Sequence, residues 1–293
     1  MAAVSTAQLN DILPTFIVPA MRTQQTTGVM KKLGKVVPLP PGKGTAVNQP
    51  KFGTLTAYAG TDGVDVQQAQ TLTTSNISAT PGFIAVQLVL TDRVIRQASE
   101  NVLREAGIIM GSALAKKLDT DLLTIIDGFS TIIPSSGNTG ALAMGHLMAG
   151  KAIVRGNATE PGDKAGPVVG VVHEWQWHDI REDAIGLATG AVTYPIPEGL
   201  SGELARNYEP LGRAFGLDGL YLDNNIVTGT SGKAGVFARD SFMFVPHVAM
   251  GKENERDASL QAWELNVFSW YGYVELNDAW GVEVDGDCSS PTS

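Results

Sequence analysis

A single long helical pattern constrains the fold of this chain more than any other feature of its sequence. In residues 91–127 the apolar side chains recur every three or four positions, which is typical of an amphipathic helix. At 1.5 Å per residue, one helix over this stretch would extend about 55 Å, whereas a compact chain of 293 residues has a radius of gyration of about 19 Å. We therefore expect a helix that spans the whole molecule as a spine.

The spacing also predicts which face of the spine helix is buried. The predicted apolar stripe comprises Val94, Ala98, Val102, Ala106, Ile109, Ala113, Leu118, Leu122 and Ile125. Asp119 and Asp121 follow the spacing expected of a solvated face. Gly107 and Gly111 interrupt the pattern, and each glycine costs on the order of 1 kcal/mol relative to alanine inside a helix. The glycines predict either a bent single helix or two helices that separate near Gly111.

Composition places the chain among globular proteins with a sizeable core, because 43% of its residues are hydrophobic and 17% are charged. The 33 glycines and 15 prolines favour a strand-rich or mixed protein over a helical bundle. No apolar run approaches the roughly 18 residues of a membrane span, and no secretory signal is visible. The single cysteine, Cys288, lies in a polar C-terminal segment that we expect to be unstructured, so disulfides are excluded and synthesis in the cytosol is predicted.

Charge is distributed unevenly along the chain, whose net charge is −9. Residues 1–53 carry six basic side chains and one acidic side chain, whereas residues 257–293 contain seven acidic residues and no lysine or arginine. This asymmetry predicts contact between the basic segment of one copy and acidic surfaces of another, with Lys31, Lys32 and Lys35 as candidate contact residues. A solvated arm and tail is the alternative. No basic stripe interleaved with aromatic residues appears, so sequence-specific nucleic-acid binding is not predicted.

The first 90 residues divide into an arm and a hairpin. Residues 1–50 show little periodicity, and the run VVPLPPGKG cannot continue a helix or form a central strand. Alternating strands at FGTLTAYA and FIAVQLVL flank turn residues at 60–63. Because an isolated two-stranded ribbon is marginally stable in water, the hairpin needs another surface to lie on. Tyr58, Asp62 and Gly63 are its candidate contact residues.

Residues 141–246 are predicted to form a mixed α/β region. ALAMGHLMAGKAIVRG is predicted as a helix that packs through Leu142, Leu147 and Ile153, GPVVGVVH as a buried strand, and EWQWHDIRED as the helix that follows it. GLYLDNNIVTG and AGVFARDSFMFVP are predicted as two further strands. The closing segments LQAWELNVFSWYGYVEL and AWGVEVDGD are strands rich in aromatic residues and valine, and we expect them to cover the spine helix.

None of the candidate chemical motifs has the spacing that its chemistry requires. His173 and His178 are five residues apart, about 140° around a helix, so they cannot share a metal ion as the histidines of a zinc-protease helix do. PPGKGT and GTSGKAG lack the spacing of a phosphate-binding loop and are predicted as turns. No GxSxG motif is present, and nothing surrounds Cys288 that would activate it. The sequence predicts no enzyme, no cofactor and no metal site.

The order of the parts resembles the major capsid protein of tailed bacteriophages, the Hong Kong 97-like fold. The motifs that carry the resemblance are the Thr/Ser-rich return TLTTSNISATPG, the spine RQASENVLREAGIIMGSALAKKLDTDLL and the strand-then-helix VVGVVHEWQWHDIRE. The resemblance implies an α+β fold with an N-terminal arm (1–50), an extended hairpin called the E-loop (51–90), a peripheral domain with the spine helix (91–140 and 247–293) and an axial domain (141–246).

The resemblance implies a structural function. A subunit of this kind self-assembles as pentamers and hexamers into an icosahedral shell around double-stranded DNA, in the host cytoplasm, and resides in the virion. Implied partners are a separate scaffolding protein, a portal and a decoration protein. Some family members link subunits covalently through a hairpin lysine, but no lysine lies between Lys51 and Lys116 here, so that linkage is not expected. The chain enters its arm directly after Met1, which implies a separate scaffold or an already processed form.

Two other functions remain open at this point. The first is the shell protein of a bacterial encapsulating nanocompartment, which has the same fold. The second belongs to another class and is a soluble metal-dependent hydrolase that uses His173.

Overall fold

Mixed α and β structure makes up the part of the chain that the structure describes. The computed structural model describes residues 28–60, 62, 69–97, 100–138, 140–157, 166–185 and 216–291. Its helices are α1 (Asp92–Gln97), α2 (Glu100–Leu123), α3 (Met144–Gly156) and α4 (Glu174–Ile185). Its strands are β1 (Lys35–Val36), β2 (Val47–Phe52), β3 (Thr74–Ala79), β4 (Gly82–Thr91), β5 (Ile132–Pro134), β6 (Val168–Val172), β7 (Gly219–Leu222), β8 (Gly229–Ala238), β9 (Phe242–Asp257), β10 (Ala262–Glu275) and β11 (Gly281–Cys288). Within these ranges, no helix has the length and apolarity needed to cross a membrane.

The strands of the described ranges form three sheets. A four-stranded sheet has the order β1-β9-β10-β4, a five-stranded sheet has the order β5-β11-β8-β6-β7, and β2 pairs with β3 alone. The long strands β9 and β10 form an antiparallel hairpin, and β4 pairs antiparallel with β10 from Gly82 to Thr91. The two-residue strand β1 adds to the far edge in parallel, with Lys35 opposite Met243.

The spine helix is continuous through both of its internal glycines. Helix α2 contains 24 residues, which correspond to about 36 Å, and both Gly107 and Gly111 are buried within it. The predicted separation into two helices near Gly111 is therefore wrong. The short helix α1 precedes α2, and residues 98 and 99 between them lie outside the described part of the chain.

The buried face of α2 differs from the predicted stripe in its first half. Met110, Leu114, Leu118 and Leu122 are buried, as are Gly111 and Ala115. Ile109 is 66% exposed, Ala113 is exposed and so is Val94, so their predicted burial is wrong. Three consecutive apolar residues at 108–110 fit more than one helical phase, and contact with Leu265 and Val267 of β10 selects the phase that buries Met110 and Leu114. Ala98 and the side chain of Val102 lie outside the described part.

One of the two large cores packs on the five-stranded sheet. All five residues of β6 are buried, which confirms the predicted buried strand, and α4 follows it as predicted. Helices α3 and α4 pack on this sheet, where Leu147, Trp177 and Ile180 meet Val236 and Val284. Leu142 is buried just before α3 begins, and Ile153 packs against the cluster at its edge. The closing strand β10 covers the spine helix, as expected. The same expectation is wrong for AWGVEVDGD, because it forms β11 and its valines pack in the core of the five-stranded sheet.

Two predicted segments around β8 are wrong in detail. GTSGKAG is not a turn, because it forms the first seven residues of β8. Its glycines allow close packing, since a Cβ atom on Gly235 would lie within 3.0 Å of the Ile126 side chain. AGVFARDSFMFVP is not one strand, because a 3-10 turn at Arg239–Ser241 separates β8 from β9 and moves the chain from one sheet to the other. PPGKGT is a turn, as predicted, with positive φ at Gly42 and Gly44.

Candidate assembly surface

The hairpin built on β2 and β3 exposes almost all of its residues. Every residue in 51–60 and 69–76 is exposed. The two limbs nevertheless remain connected beyond the paired strands, because the Thr56 amide donates a 2.8 Å hydrogen bond to Oε1 of Gln70 and the Gly53 amide donates one of 2.8 Å to the Thr73 carbonyl. In its described residues the hairpin is thus a hydrogen-bonded extension that has no core of its own.

Large apolar side chains lie on this extension without cover from the subunit. They are Phe52, Leu55, Tyr58 and Leu72, of which Leu55 is 57% and Tyr58 55% exposed. Several apolar side chains exposed together mark a surface that binds another protein. A cleft of about 850 Å³ lies at the base of the hairpin and is lined by hairpin residues together with Lys35, Leu276 and Trp280 of the body. The hairpin and this cleft are together called the hairpin surface below.

A second exposed group is aromatic and lies on the outer face of the four-stranded sheet. The ring of Phe83 on β4 is 5.7 Å from that of Phe268 and 5.8 Å from that of Trp270, centroid to centroid. His247 on β9 lies 5.8 Å from Trp270. Phe83 is 60% exposed, so much of this group faces solvent in the isolated subunit.

The predicted contact residues occupy three different environments. Lys35 lines the cleft at the hairpin, and Tyr58 and Asp62 are exposed on the hairpin itself. Lys32 is exposed, whereas Lys31 is half-buried beside Asp119 and burial lowers its pKa. Gly63 lies outside the described residues. The structure therefore brings Lys35 to the hairpin surface and places Lys31 against the spine helix.

Sequence reasoning missed the anchor of the N-terminal segment, which is Asp119. Its predicted solvated position is wrong, because the side chain is 1% exposed. Its two carboxylate oxygens accept hydrogen bonds from the backbone amides of Val29 at 3.1 Å and Met30 at 3.2 Å. The partner amides lie about 90 residues away in sequence. The position of Asp119 around the helix could have predicted its burial. Ala115 and Leu122 lie one turn before and after it on the same face, and both are buried.

Asp121 connects the spine helix to β10. Its carboxylate accepts a 2.8 Å hydrogen bond from the Tyr271 hydroxyl and a 2.6 Å hydrogen bond from Lys117. Asp121 is half-buried rather than fully solvated. Burial and the neighbouring carboxylate together raise the pKa of Tyr271.

We expect Tyr271→Phe to lower the free energy of unfolding by about 1–2 kcal/mol, because it leaves a half-buried carboxylate without its phenolic donor. Urea denaturation of the variant measures this loss. Tyr221→Phe, at an exposed position, is the matched control and should change stability by less than about 0.5 kcal/mol. Equal losses in the two variants would show that the contact with Asp121 does not stabilise the subunit.

His173 has a structural role at the start of α4. It is buried, its Nδ1 accepts a 3.1 Å hydrogen bond from the Trp175 amide, and it therefore caps the start of α4. Nothing in this geometry presents its imidazole to a substrate. Among the described residues, one group of three could ligate a metal ion, with ligand atoms of His178, Asp179 and Glu182 within 4.8 Å of one another. The Nδ1 atom of His178 lies 3.6 Å from a carboxylate oxygen of Asp179, so the group contains an ion pair when the imidazole is protonated.

Cys288 lies in structured surroundings, contrary to the prediction of an unstructured tail. It ends β11 and is fully buried. Burial, with added effects of Asp287 and Asp179, raises the pKa of its thiol to about 11. The strand forms because β11 pairs with β8, and this long-range pairing overrides the polar composition of the segment.

We expect Cys288 to resist alkylation by iodoacetamide at pH 8 in the folded protein, because the thiol is both buried and protonated. In denaturant the same thiol should react completely. Mass spectrometry of the intact chain measures both states. Rapid alkylation of the folded protein would contradict the buried position of this residue.

Comparison with known proteins shows which solved structures share this fold. No protein-family model and no curated protein matches this sequence. A solved structure from Mycobacterium phage Che8 is 15% identical, with 83% of this chain and 85% of that chain covered and a TM-score of 0.62. The capsid of the cyanophage P-SCSP1u is 11% identical, with coverages of 90% and 89% and a TM-score of 0.65. A virus-like particle from Pyrococcus furiosus is 10% identical, with coverages of 92% and 98% and a TM-score of 0.60. The chain therefore has the mixed α+β fold of phage capsid proteins, as its sequence resemblance predicted.

Proposed function

We propose that this chain is the major capsid protein of a tailed bacteriophage and adopts the Hong Kong 97-like arrangement. The observation that carries this proposal is the agreement in fold with the cyanophage capsid over about nine-tenths of both chains. The uncovered apolar side chains of the hairpin surface support it independently, because they need a protein partner. The function is structural, with no catalytic step.

The proposed domains follow the order of the sequence. Residues 1–50 form the arm, 51–90 the E-loop, 91–140 and 247–293 the peripheral domain, and 141–246 the axial domain. The four-stranded sheet with α2 supports the peripheral domain, and the five-stranded sheet with α3 and α4 supports the axial domain. Strands β5 and β11 lie at the junction, because they belong to the peripheral segments by sequence and pair within the axial sheet.

Assembly in this proposal proceeds by a repeated contact between unlike surfaces of neighbouring copies. Such head-to-tail contacts close into rings, which here are pentamers and hexamers that form an icosahedral shell. Each hairpin lies on a neighbouring subunit through Tyr58, Asp62 and Gly63. Lys31, Lys32 and Lys35 contribute contacts with acidic surfaces, and these contacts should weaken as the salt concentration rises.

The proposed shell encloses double-stranded DNA without sequence specificity and resides in the virion after assembly in the host cytoplasm. Its proposed partners besides other copies of itself are a scaffolding protein, a portal and a decoration protein. The nanocompartment alternative predicts a protein cargo instead of DNA. Several of the solved structures that share this fold are phage capsids, which favours the capsid. The hydrolase alternative has no support, because His173 is buried and caps a helix.

The test is negative-stain microscopy and sedimentation of the full chain, expressed with and without a candidate scaffolding protein. We expect rings or closed shells. Nuclease treatment followed by extraction then distinguishes protected DNA from protein cargo in particles made during infection. A monodisperse monomer under all assembly conditions, with residues 51–82 ordered, would overturn the proposal.

A further inference from the structure

A groove on the four-stranded sheet lies beside the N-terminal end of the described chain. Its volume is about 240 Å³, and residues of α2, β9 and β10 line it. Among the lining residues, Leu118, Phe244 and Tyr271 are buried, whereas Ala249 and Trp270 are exposed. The groove is therefore apolar and open to solvent.

The groove is continuous with the exposed aromatic group of the same sheet, because Trp270 belongs to both. The ring of Trp270 lies 5.8 Å from that of Phe83, and these side chains are 40% and 60% exposed. Large apolar side chains that are exposed together mark a surface that binds another polypeptide segment. The described residues leave this surface uncovered.

The described chain begins next to the groove. Its first element is the 3-10 turn Met30–Lys32, the N-terminal turn, and the backbone amides of Val29 and Met30 donate to Asp119 of α2. Lys31 of this turn lines the groove. The residues before Gly28 lie outside the described part of the chain. The segment that precedes the turn is therefore connected to the body at the groove itself.

That preceding segment contains an apolar stretch, residues 9–21, with the sequence LNDILPTFIVPAM. Pro14 and Pro19 disfavour a continuous helix or a central strand, so burial of its apolar side chains requires a surface elsewhere. Met21 is seven residues before Gly28, and because one residue spans at most about 3.5 Å, the two are no more than about 25 Å apart. The stretch is therefore within reach of the groove.

We propose that residues 9–21 pack in this groove of their own subunit and cover Trp270. The same subunit is favoured because the covalent connection through Gly28 gives the stretch a high effective concentration at the groove. The N-terminal segment is then held at two points, by hydrogen bonds at Asp119 and by apolar contacts at Trp270. The docking occurs within one subunit and does not depend on the proposed shell function.

Disulfide trapping in the full-length, unassembled chain tests this docking. Val248→Cys places a thiol in the groove, and Thr15→Cys or Val18→Cys places a second thiol in the stretch while keeping its large apolar side chains. The native thiol of Cys288 is buried and should not compete. After brief oxidation at low protein concentration we expect an intramolecular disulfide. A non-reducing gel separates this product from linked dimers, and mass spectrometry locates the bond.

Met148→Cys replaces Val248→Cys in the matched control. Met148 is 49% exposed on α3, which packs on the five-stranded sheet. Its thiol should react with position 15 or 18 at least about tenfold more slowly than a thiol in the groove does, because the docked stretch has no high effective concentration there.

A second pair of variants separates docking from mere tethering. Phe16→Ser with Ile17→Ser removes apolar side chains without changing the chain length and should slow the disulfide at position 248 about tenfold. Gln24→Ser with Gln25→Ser changes two polar residues between the stretch and the groove and should leave the rate unchanged.

Three results would overturn the proposal. They are equal rates at positions 248 and 148, an unchanged rate after Phe16→Ser with Ile17→Ser, and disulfides that form only between chains. The last result would assign the groove to a second copy of the chain.

Discussion

Replacing both Leu55 and Tyr58 by aspartate should abolish shell formation while leaving the fold of the subunit intact. Both side chains are more than half exposed in the isolated subunit, so the substitutions disturb no core. In the proposed assembly they become buried against a neighbour, and a carboxylate placed in an apolar contact costs several kcal/mol. Each hairpin contact in the shell would bear this cost. Even a modest loss of binding free energy per contact therefore adds up and prevents the shell from closing.

Sedimentation velocity and negative-stain microscopy measure this effect, and circular dichroism checks the fold. The matched control is the pair Leu55→Met with Tyr58→Phe, which keeps size and apolar character and should assemble as the wild type does. If the aspartate variant formed shells at the wild-type yield, the hairpin surface would not be an assembly contact.

Phe237→Ala should lower the free energy of unfolding by about 3–5 kcal/mol. Phe237 of β8 is fully buried, and its ring centroid lies 5.4 Å from that of Phe242 and 6.5 Å from that of Phe129. The cluster around it also contains Met30 and Leu122, so the cavity would lie where the N-terminal turn, the spine helix and the five-stranded sheet meet. A loss of this size is a large fraction of the stability of an ordinary domain.

Urea denaturation of the unassembled subunit gives the value. Phe83→Ala is the matched control, because it removes the same side chain from a 60% exposed position on β4 and should cost at most about 1 kcal/mol through lost aromatic contacts. Similar losses at the two positions would contradict the packing described around Phe237.

The apolar and polar patterns of short sequence segments correctly predicted some of the strands. The continuous apolar run before α4 predicted a buried strand, and β6 is buried at every position. The alternation in FIAVQLVL predicted β4, whose alternate residues do face the spine helix. A hairpin without its own core was recognisable, but its strands were misplaced. The paired strands are β2 and β3, whereas FGTLTAYA has no strand beyond Phe52 and FIAVQLVL pairs with β10.

Long-range pairing decided the features that the sequence did not reveal. Cys288 is buried because β11 pairs with β8, and the glycine-rich start of β8 is a strand because its neighbours require close approach. Asp119 is buried because two amides about 90 residues away donate to it. Hydrophobic periodicity cannot reveal such partners, since it measures only the apolar character of each face.

The parallel pairing of β1 with β9 also constrains the order in which parts of the subunit can fold. Lys35 and Val36 pair with Met243 and Phe244, and the amide of Leu39 donates to the carbonyl of Pro246. Contacts between such distant positions form late, because the intervening chain must first be confined. During synthesis the early segment has no strand to join until more than 240 residues have left the ribosome. We therefore expect the segment 35–39 to join its sheet late in the folding of each subunit.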